Sequence, residues 1–289
     1  MAKVATKAEI LVCGATGQQG GAVSQSLLKE GVAFRALSRS LHKLNSLKEL
    51  GVETIQGDLA DKQTIVEALS GIEQAFLVTT PFEEGVEKEV EQGINFVQAA
   101  MKAGVKHLIF SSVASADKKT GIPHFESKWK IEQYMQKEGI AATILRPVFF
   151  MENFATPWFL PEIKQGKLKL PVSSEKKFQM VCLQVIGAFA AACFKRPSDF
   201  IGQIIELASD EMTLPQVMGK ISSYSGKHIE YEELPYEEAE QKFGSDFAKM
   251  FKWFNDVGYS VDIEQLKQWK IPLTSFNTYL SEADWLKYV

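Results

Sequence analysis

The sequence predicts an α/β fold: a doubly wound parallel sheet with helices on both faces, and a smaller C-terminal lobe. Three observations carry this. Short apolar runs alternate with amphipathic stretches through the first half of the chain. A glycine-spaced turn joins the first run to the first helical stretch. After about Asn153 the pattern loosens and prolines recur. A chain of 289 residues with 45% hydrophobic content is long enough to bury a full core without staples.

The runs Ile10–Cys13, Phe34–Leu37, Val52–Ile55, Ala75–Val78, Leu108–Phe110 and Ala142–Leu145 are apolar on both faces and bounded by turn residues. Strands buried in a parallel sheet look like this. Between them Gly21–Glu30, Lys62–Leu69 and Val86–Ala103 carry helical periodicity. The alternation implies right-handed crossovers, with ligands bound at the carboxyl ends of the strands. Residues 1–152 are therefore expected to form the nucleotide-binding domain, and 153–289 a smaller substrate or partner lobe over it. One strand of that second half, Ile204–Leu207, is expected to return to the main sheet.

The formal net charge of −4 and the lack of a basic half argue against direct nucleic-acid binding. Cys13, Cys182 and Cys193 form no CxxC pair and no metal-ligand spacing, so no metal is expected and a reducing compartment is. Met1 to Glu9 holds no apolar stretch of signal-peptide length, and Val181–Phe194 is too short to span a bilayer. A cytoplasmic protein is the expectation.

The chemistry starts at the first strand end. Gly14-Ala15-Thr16-Gly17-Gln18-Gln19-Gly20 has the spacing GxxGxxG, with a strand before it and a helix after. Gly14 permits the tight turn, Gly17 lets the backbone approach a pyrophosphate, and Gly20 lets the helix pack close to the strand. Freed N–H groups and the helix dipole then face the phosphates. Such a turn is the mark of a Rossmann-type dinucleotide site. The ribose selector lies about 20 residues on, where an acidic residue marks NAD. Here Leu37-Ser38-Arg39-Ser40 ends the second strand with no carboxylate, and Arg39 stands 19 residues past Gly20. Arginine grips a 2′-phosphate bidentately, and Lys43 adds charge one turn on. NADP(H) is thus expected over NAD(H). Asp58 is placed either to meet the adenine amino group or to cap the next helix, with Leu59 over the adenine face. Thr79, Thr80 and Pro81 follow the fourth strand, at the nicotinamide-side ribose; Ser111 and Ser112 follow the fifth.

GATGQQG, SRS, QGDLAD, His124–Lys128 (HFESK), Arg146–Asn153 (RPVFFMEN) and the late TSFNTYL together resemble the NmrA-like family. Its members are atypical short-chain dehydrogenases/reductases, and HFESK with RPVFFMEN is similar to its redox-sensing branch. The resemblance implies an NADP-binding fold whose members divide into reductases and non-catalytic regulators. It implies that Lys128 takes the place of the superfamily's ribose-holding lysine, and that Phe150 and Asn153 lie against the nicotinamide. Ser112 matches the family's serine position. The superfamily tyrosine, four residues before the lysine on one helix face, is His124 here. Histidine titrates near about 6.5, and a neighbouring ammonium lowers that. A neutral His124 is a poor proton donor, though its N–H can polarise a carbonyl. Tyr134 lies on the wrong face to substitute.

Two functions follow. One is an NADPH-dependent reductase of quinone-like or other conjugated acceptors, with His124 and Lys128 as the catalytic pair. The other is a redox sensor whose cofactor binding shifts association with a regulatory protein partner. Met250–Phe254 is either an acceptor-pocket wall or the inner face of an amphipathic helix.

Overall fold

Apolar runs with no polar face demand burial on both sides. The computed structural model, which describes residues 7–289, supplies it. In chain order the elements are β1 (Ile10–Cys13), α1 (Gln18–Lys29), β2 (Arg35–Ser38), α2 (Leu41–Glu49), β3 (Glu53–Gln56), α3 (Lys62–Ala68), β4 (Gln74–Val78), α4 (Val86–Ala103), β5 (His107–Ser111), α5 (Pro123–Glu138) and β6 (Ala142–Pro147). There follow β7 (Phe149–Phe150), α6 (Leu160–Lys164), β8 (Lys167–Leu170), β9 (Lys177–Val181), α7 (Leu183–Lys195), α8 (Pro197–Phe200), β10 (Ile204–Leu207), β11 (Asp210–Thr213), α9 (Leu214–Ser225), β12 (Glu230–Glu233) and α10 (Tyr236–Asp256). The reading of Met1 to Glu9 falls mostly outside the described residues.

Seven strands form one sheet in the order β10-β6-β5-β4-β1-β2-β3, and the pairings from β3 to β6 are all parallel. The order reverses at β1, between β4 and β2, which places the ligand crevice at the carboxyl ends of these strands. Register aligns those ends: Cys13 is opposite Leu37, Ser38 opposite Gln56, and Val78 opposite Ser111. Alternate residues of the strands, among them Leu11, Cys13, Ala75, Leu77, Leu108 and Phe110, form one core face with α3, α4 and α5. On the other face α1 and α7 approach at Gly187, where a Cβ would lie 2.4 Å from the Ala22 carbonyl oxygen.

The chain divides into two compact units. The first comprises the described residues through Asp117 together with His124–Arg146 and Ile186–Ile205. The second comprises Lys118–Pro123, Pro147–Val185 and Glu206–Val289. The second unit has its own small sheets, β11-β9-β7 and β12-β8, and an aromatic core in which Phe178 meets Phe149 and Phe254 edge to face. Met250, Phe251, Trp253 and Phe254 are buried on the inner face of α10, so the amphipathic-helix reading of that stretch holds. Gly244, at φ 81°, interrupts α10.

All three cysteines are free and buried, and burial raises their thiols, which makes them poor nucleophiles. Among the described residues no His/Cys/Asp/Glu group could hold a metal, and no helix is long and apolar enough to cross a membrane.

Candidate dinucleotide site

The glycine turn is built as its spacing demands. Gly14 sits at φ +60°, where a side chain would be strained. The Gly17 N–H donates to the Gly14 carbonyl at 2.8 Å and closes the turn. Gly17 is the N-cap of α1 and supplies no side-chain cap, so the first-turn amides at Gln18, Gln19 and Gly20 point toward the turn with the positive end of the helix dipole. Gly20 packs against the turn itself: a Cβ there would fall 2.2 Å from the Gly14 oxygen and 2.5 Å from the Cys13 oxygen. Neighbouring strands pin the loop. The Ala15 N–H donates to Leu37, the Thr16 and Ser38 hydroxyls share a 2.5 Å hydrogen bond, and the Ser111 hydroxyl donates to Gln19 Oε1. The close seat of Gly20 sets the helix against the strand end, and the first-turn amides left without a side-chain cap are donors of the kind a pyrophosphate needs.

Arg39 projects into solvent at the end of β2. Its Nη2 donates to Glu83 Oε1 at 2.6 Å and its Nη1 engages Glu83 Oε2. The pairing raises the guanidinium pKa further and holds the Glu83 carboxyl below the usual carboxylate range. Lys43 lies exposed in the first turn of α2, where its backbone N–H donates to the capping Ser40 hydroxyl. Asp58 does not cap the next helix. It closes a local turn by accepting the Ala60 N–H, while Asp61 caps α3 by accepting the Gln63 N–H. Leu59 is half-buried against the core of the sheet.

The far end of the groove is organised by a buried charge that sequence reasoning missed. Lys128, on α5, donates to the Thr79 carbonyl at 2.7 Å and the Thr79 hydroxyl at 2.9 Å, and pairs with Glu89 Oε1 at 2.6 Å. Those three contacts use all three ammonium hydrogens. The Thr79 hydroxyl donates on to Glu89 Oε1, and Ser127 donates to Glu89 Oε2. Glu89 is wholly buried. The signal was present: Glu89 shares the inward stripe of α4 with Gly93, Phe96, Val97 and Ala100, and a carboxylate on such a stripe requires a partner.

His124 begins α5. Its ring stands 5.6 Å from the exposed Phe82 and edge-on to Phe125 at 4.9 Å. Thr80 is exposed and accepts the Phe82 N–H; Pro81 is buried and accepts the Gly85 N–H. Ser112 is buried and donates to Oε1 of Glu132, whose two carboxylate oxygens also receive Arg146 in a two-point pair; Arg146 further reaches Asp117. Ser112 thus serves a packed ionic network. Tyr134 accepts from Gln98, on the other side of α5.

Phe150 and Asn153 belong to the second unit. Phe150 pairs with Val181 across β7 and β9, and the Asn153 carbonyl accepts from Thr156. Between them Glu152 accepts the Leu183 N–H at 2.9 Å at the start of α7, while its Oε2 is buried with no partner among the described residues. Burial pushes its carboxyl up to about 7. The folded chain therefore retains this proton above the ordinary carboxyl range, and the stability it brings is lost as pH rises through about 7. His107, buried and held down to about 4, acts in the opposite sense as pH falls below about 6.5. Comparing Glu152→Gln with wild type at each pH isolates the carboxyl. The variant is expected to gain about 2–3 kcal/mol on wild type between pH 5 and pH 8; parallel stability curves would contradict this.

A family model described as the NmrA-like family matches residues 6–280. An NmrA-like family domain-containing protein of Dictyostelium discoideum is 29% identical over 301 residues, covering 96% of this chain and 98% of its own length. Quinone oxidoreductase 2 of Escherichia coli (strain K12) is 29% identical over 228 residues, covering 78% of this chain and 77% of that protein. Among solved structures, the triphenylmethane reductase of Citrobacter sp. complexed with NADP(H) matches with a TM-score of 0.82 at 22% identity, over 95% of this chain and 99% of that one. NmrA, a negative transcriptional regulator, in complex with NAD, matches with a TM-score of 0.76 at 18% identity, over 97% and 100% of the two chains. At those identities the structural likeness establishes the fold.

Proposed function

Because the chain belongs to the NmrA-like family, we propose that it binds NADP(H) along the carboxyl ends of β1 to β4 and reduces quinone-like or other conjugated acceptors. The observation that carries this reading is the glycine turn, with Gly20 seated on the Gly14 carbonyl and the first turn of α1 left without a side-chain cap. Those amides hold the pyrophosphate. Arg39 holds the 2′-phosphate, with Lys43 adding positive charge. Thr79, fixed from behind by Lys128 and Glu89, borders the nicotinamide-side ribose, and the Lys128–Glu89 pair keeps that strand end rigid. The bound nicotinamide supplies the hydride. His124, beside Phe82, offers a ring N–H to the acceptor oxygen, and the balancing proton comes from solvent. E. coli quinone oxidoreductase 2 supports the acceptor class.

One observation favours a second reading, a sensor that reports cofactor state to a protein partner. The tyrosine position is His124, and all three Lys128 ammonium hydrogens are held by Thr79 and Glu89, so the proton-donating pair of the wider superfamily is absent in kind. NADPH oxidation by the purified protein against a quinone and aldehyde panel separates the two. Turnover on a quinone that falls on His124→Ala supports the reductase. Saturable NADPH binding with no turnover on any acceptor supports the sensor.

A further inference from the structure

Arg39 alone would make the end of β2 a plain 2′-phosphate receptor. It does not stand alone. Both oxygens of Glu83 face its two terminal nitrogens, the same two-point geometry that a guanidinium offers a phosphate. Glu83 comes from residues 79–85, the connection between β4 and α4, 44 residues along the chain from Arg39. Asp58 and Glu84 add further negative charge near the guanidinium. A carboxylate and a phosphate cannot share one guanidinium edge: each needs the N–H pair at hydrogen-bonding distance, and the two anions repel.

We propose that Glu83 is a specificity-determining residue that competes with the 2′-phosphate for Arg39, so that the preference between phosphorylated and unphosphorylated dinucleotide is set by the Arg39–Glu83 pair. This rests on the NADP(H) reading above. The side chains are about half exposed, 55% for Arg39 and 47% for Glu83, and exposed ion pairs are weak. Glu83 therefore yields to a dianionic phosphate while subtracting from its affinity. A dinucleotide with a free 2′-hydroxyl has no claim on the guanidinium and leaves the pair in place.

The test is a double-mutant cycle of Arg39→Ala and Glu83→Gln. It reads dissociation constants of NADPH, NADH and adenosine 2′,5′-bisphosphate by calorimetry, with no acceptor present. Glu83→Gln is expected to tighten NADPH and the bisphosphate roughly two- to fivefold and to leave NADH essentially unchanged. In the Arg39→Ala background the tightening should vanish. That arm is needed because removing any nearby negative charge favours the more highly charged ligand. Unchanged NADPH affinity, equal tightening of NADPH and NADH, or persistence of the effect without Arg39 would each overturn the proposal. Wild-type protein that binds no dinucleotide overturns the functional reading and this inference together. Wild-type protein that binds NADPH and weakens on Arg39→Ala, with no tightening on Glu83→Gln, overturns this inference alone.

Discussion

Glu89→Ala is expected to cost the chain about 3–5 kcal/mol of stability, because it strands a buried ammonium. Lys128 has 9% of its side chain exposed and Glu89 none. The Thr79 contacts that remain hydrogen-bond the cation without neutralising it. The same substitution removes one of the two acceptors of the Ser127 hydroxyl and leaves it only the His124 carbonyl. A fall in the urea midpoint at unchanged m-value measures the loss. Replacing both partners, as Glu89→Leu with Lys128→Met, should cost much less than the single change, since no charge is left buried. A single-variant loss below about 1 kcal/mol would mean that water reaches the pair and that it does not brace the strand end.

The second large effect is expected at Gly20. An alanine Cβ would lie 2.2 Å from the Gly14 oxygen and 2.5 Å from the Cys13 oxygen. Both are backbone atoms, so no side chain can turn aside, and α1 must move off the strand end. Overpacking of this kind costs about 1–3 kcal/mol, and the first-turn amides move with the helix. NADPH affinity should fall more than about tenfold, the loss of one to two charge-assisted hydrogen bonds. Gly21→Ala is the control: its Cβ meets only the Ala15 oxygen at 3.8 Å, and both stability and affinity should stay near wild type. Equal losses at the two positions would point to helix propensity or general disruption rather than the turn.

The parts of this protein that could be read from sequence are those whose signal is local. Ile10–Cys13, Val86–Ala103 and Ile204–Leu207 fall where their apolar pattern puts them, because burial on both faces of a sheet, or along one face of a helix, is written in consecutive residues. The glycine turn was legible because its demands are local: Gly14 takes a φ of +60°, and Gly17 and Gly20 both come up against the Gly14 carbonyl. The small strands were not. β7 has two residues, and β12 reads Glu-Tyr-Glu-Glu and is a strand through its pairing with β8, far off in the chain. Buried charges were hidden for the same reason. Glu89, Glu132 and Arg146 look like solvated positions until the fold brings Lys128, Ser112 and Asp117 to them. Distance from the glycines singles out Arg39, but nothing local marks Glu83 as its partner. Asp58 was read as a possible cap because it precedes a helix; Asp61, three residues later, is nearer and takes the cap.

If the glycine turn holds a nicotinamide dinucleotide and the end of β2 favours the 2′-phosphorylated form, calorimetric titration of the wild-type chain with NADPH and with NADH should show saturable binding at one site per chain, with NADPH the tighter of the two. No saturable binding of either dinucleotide would refute the first condition, and tighter binding of NADH the second.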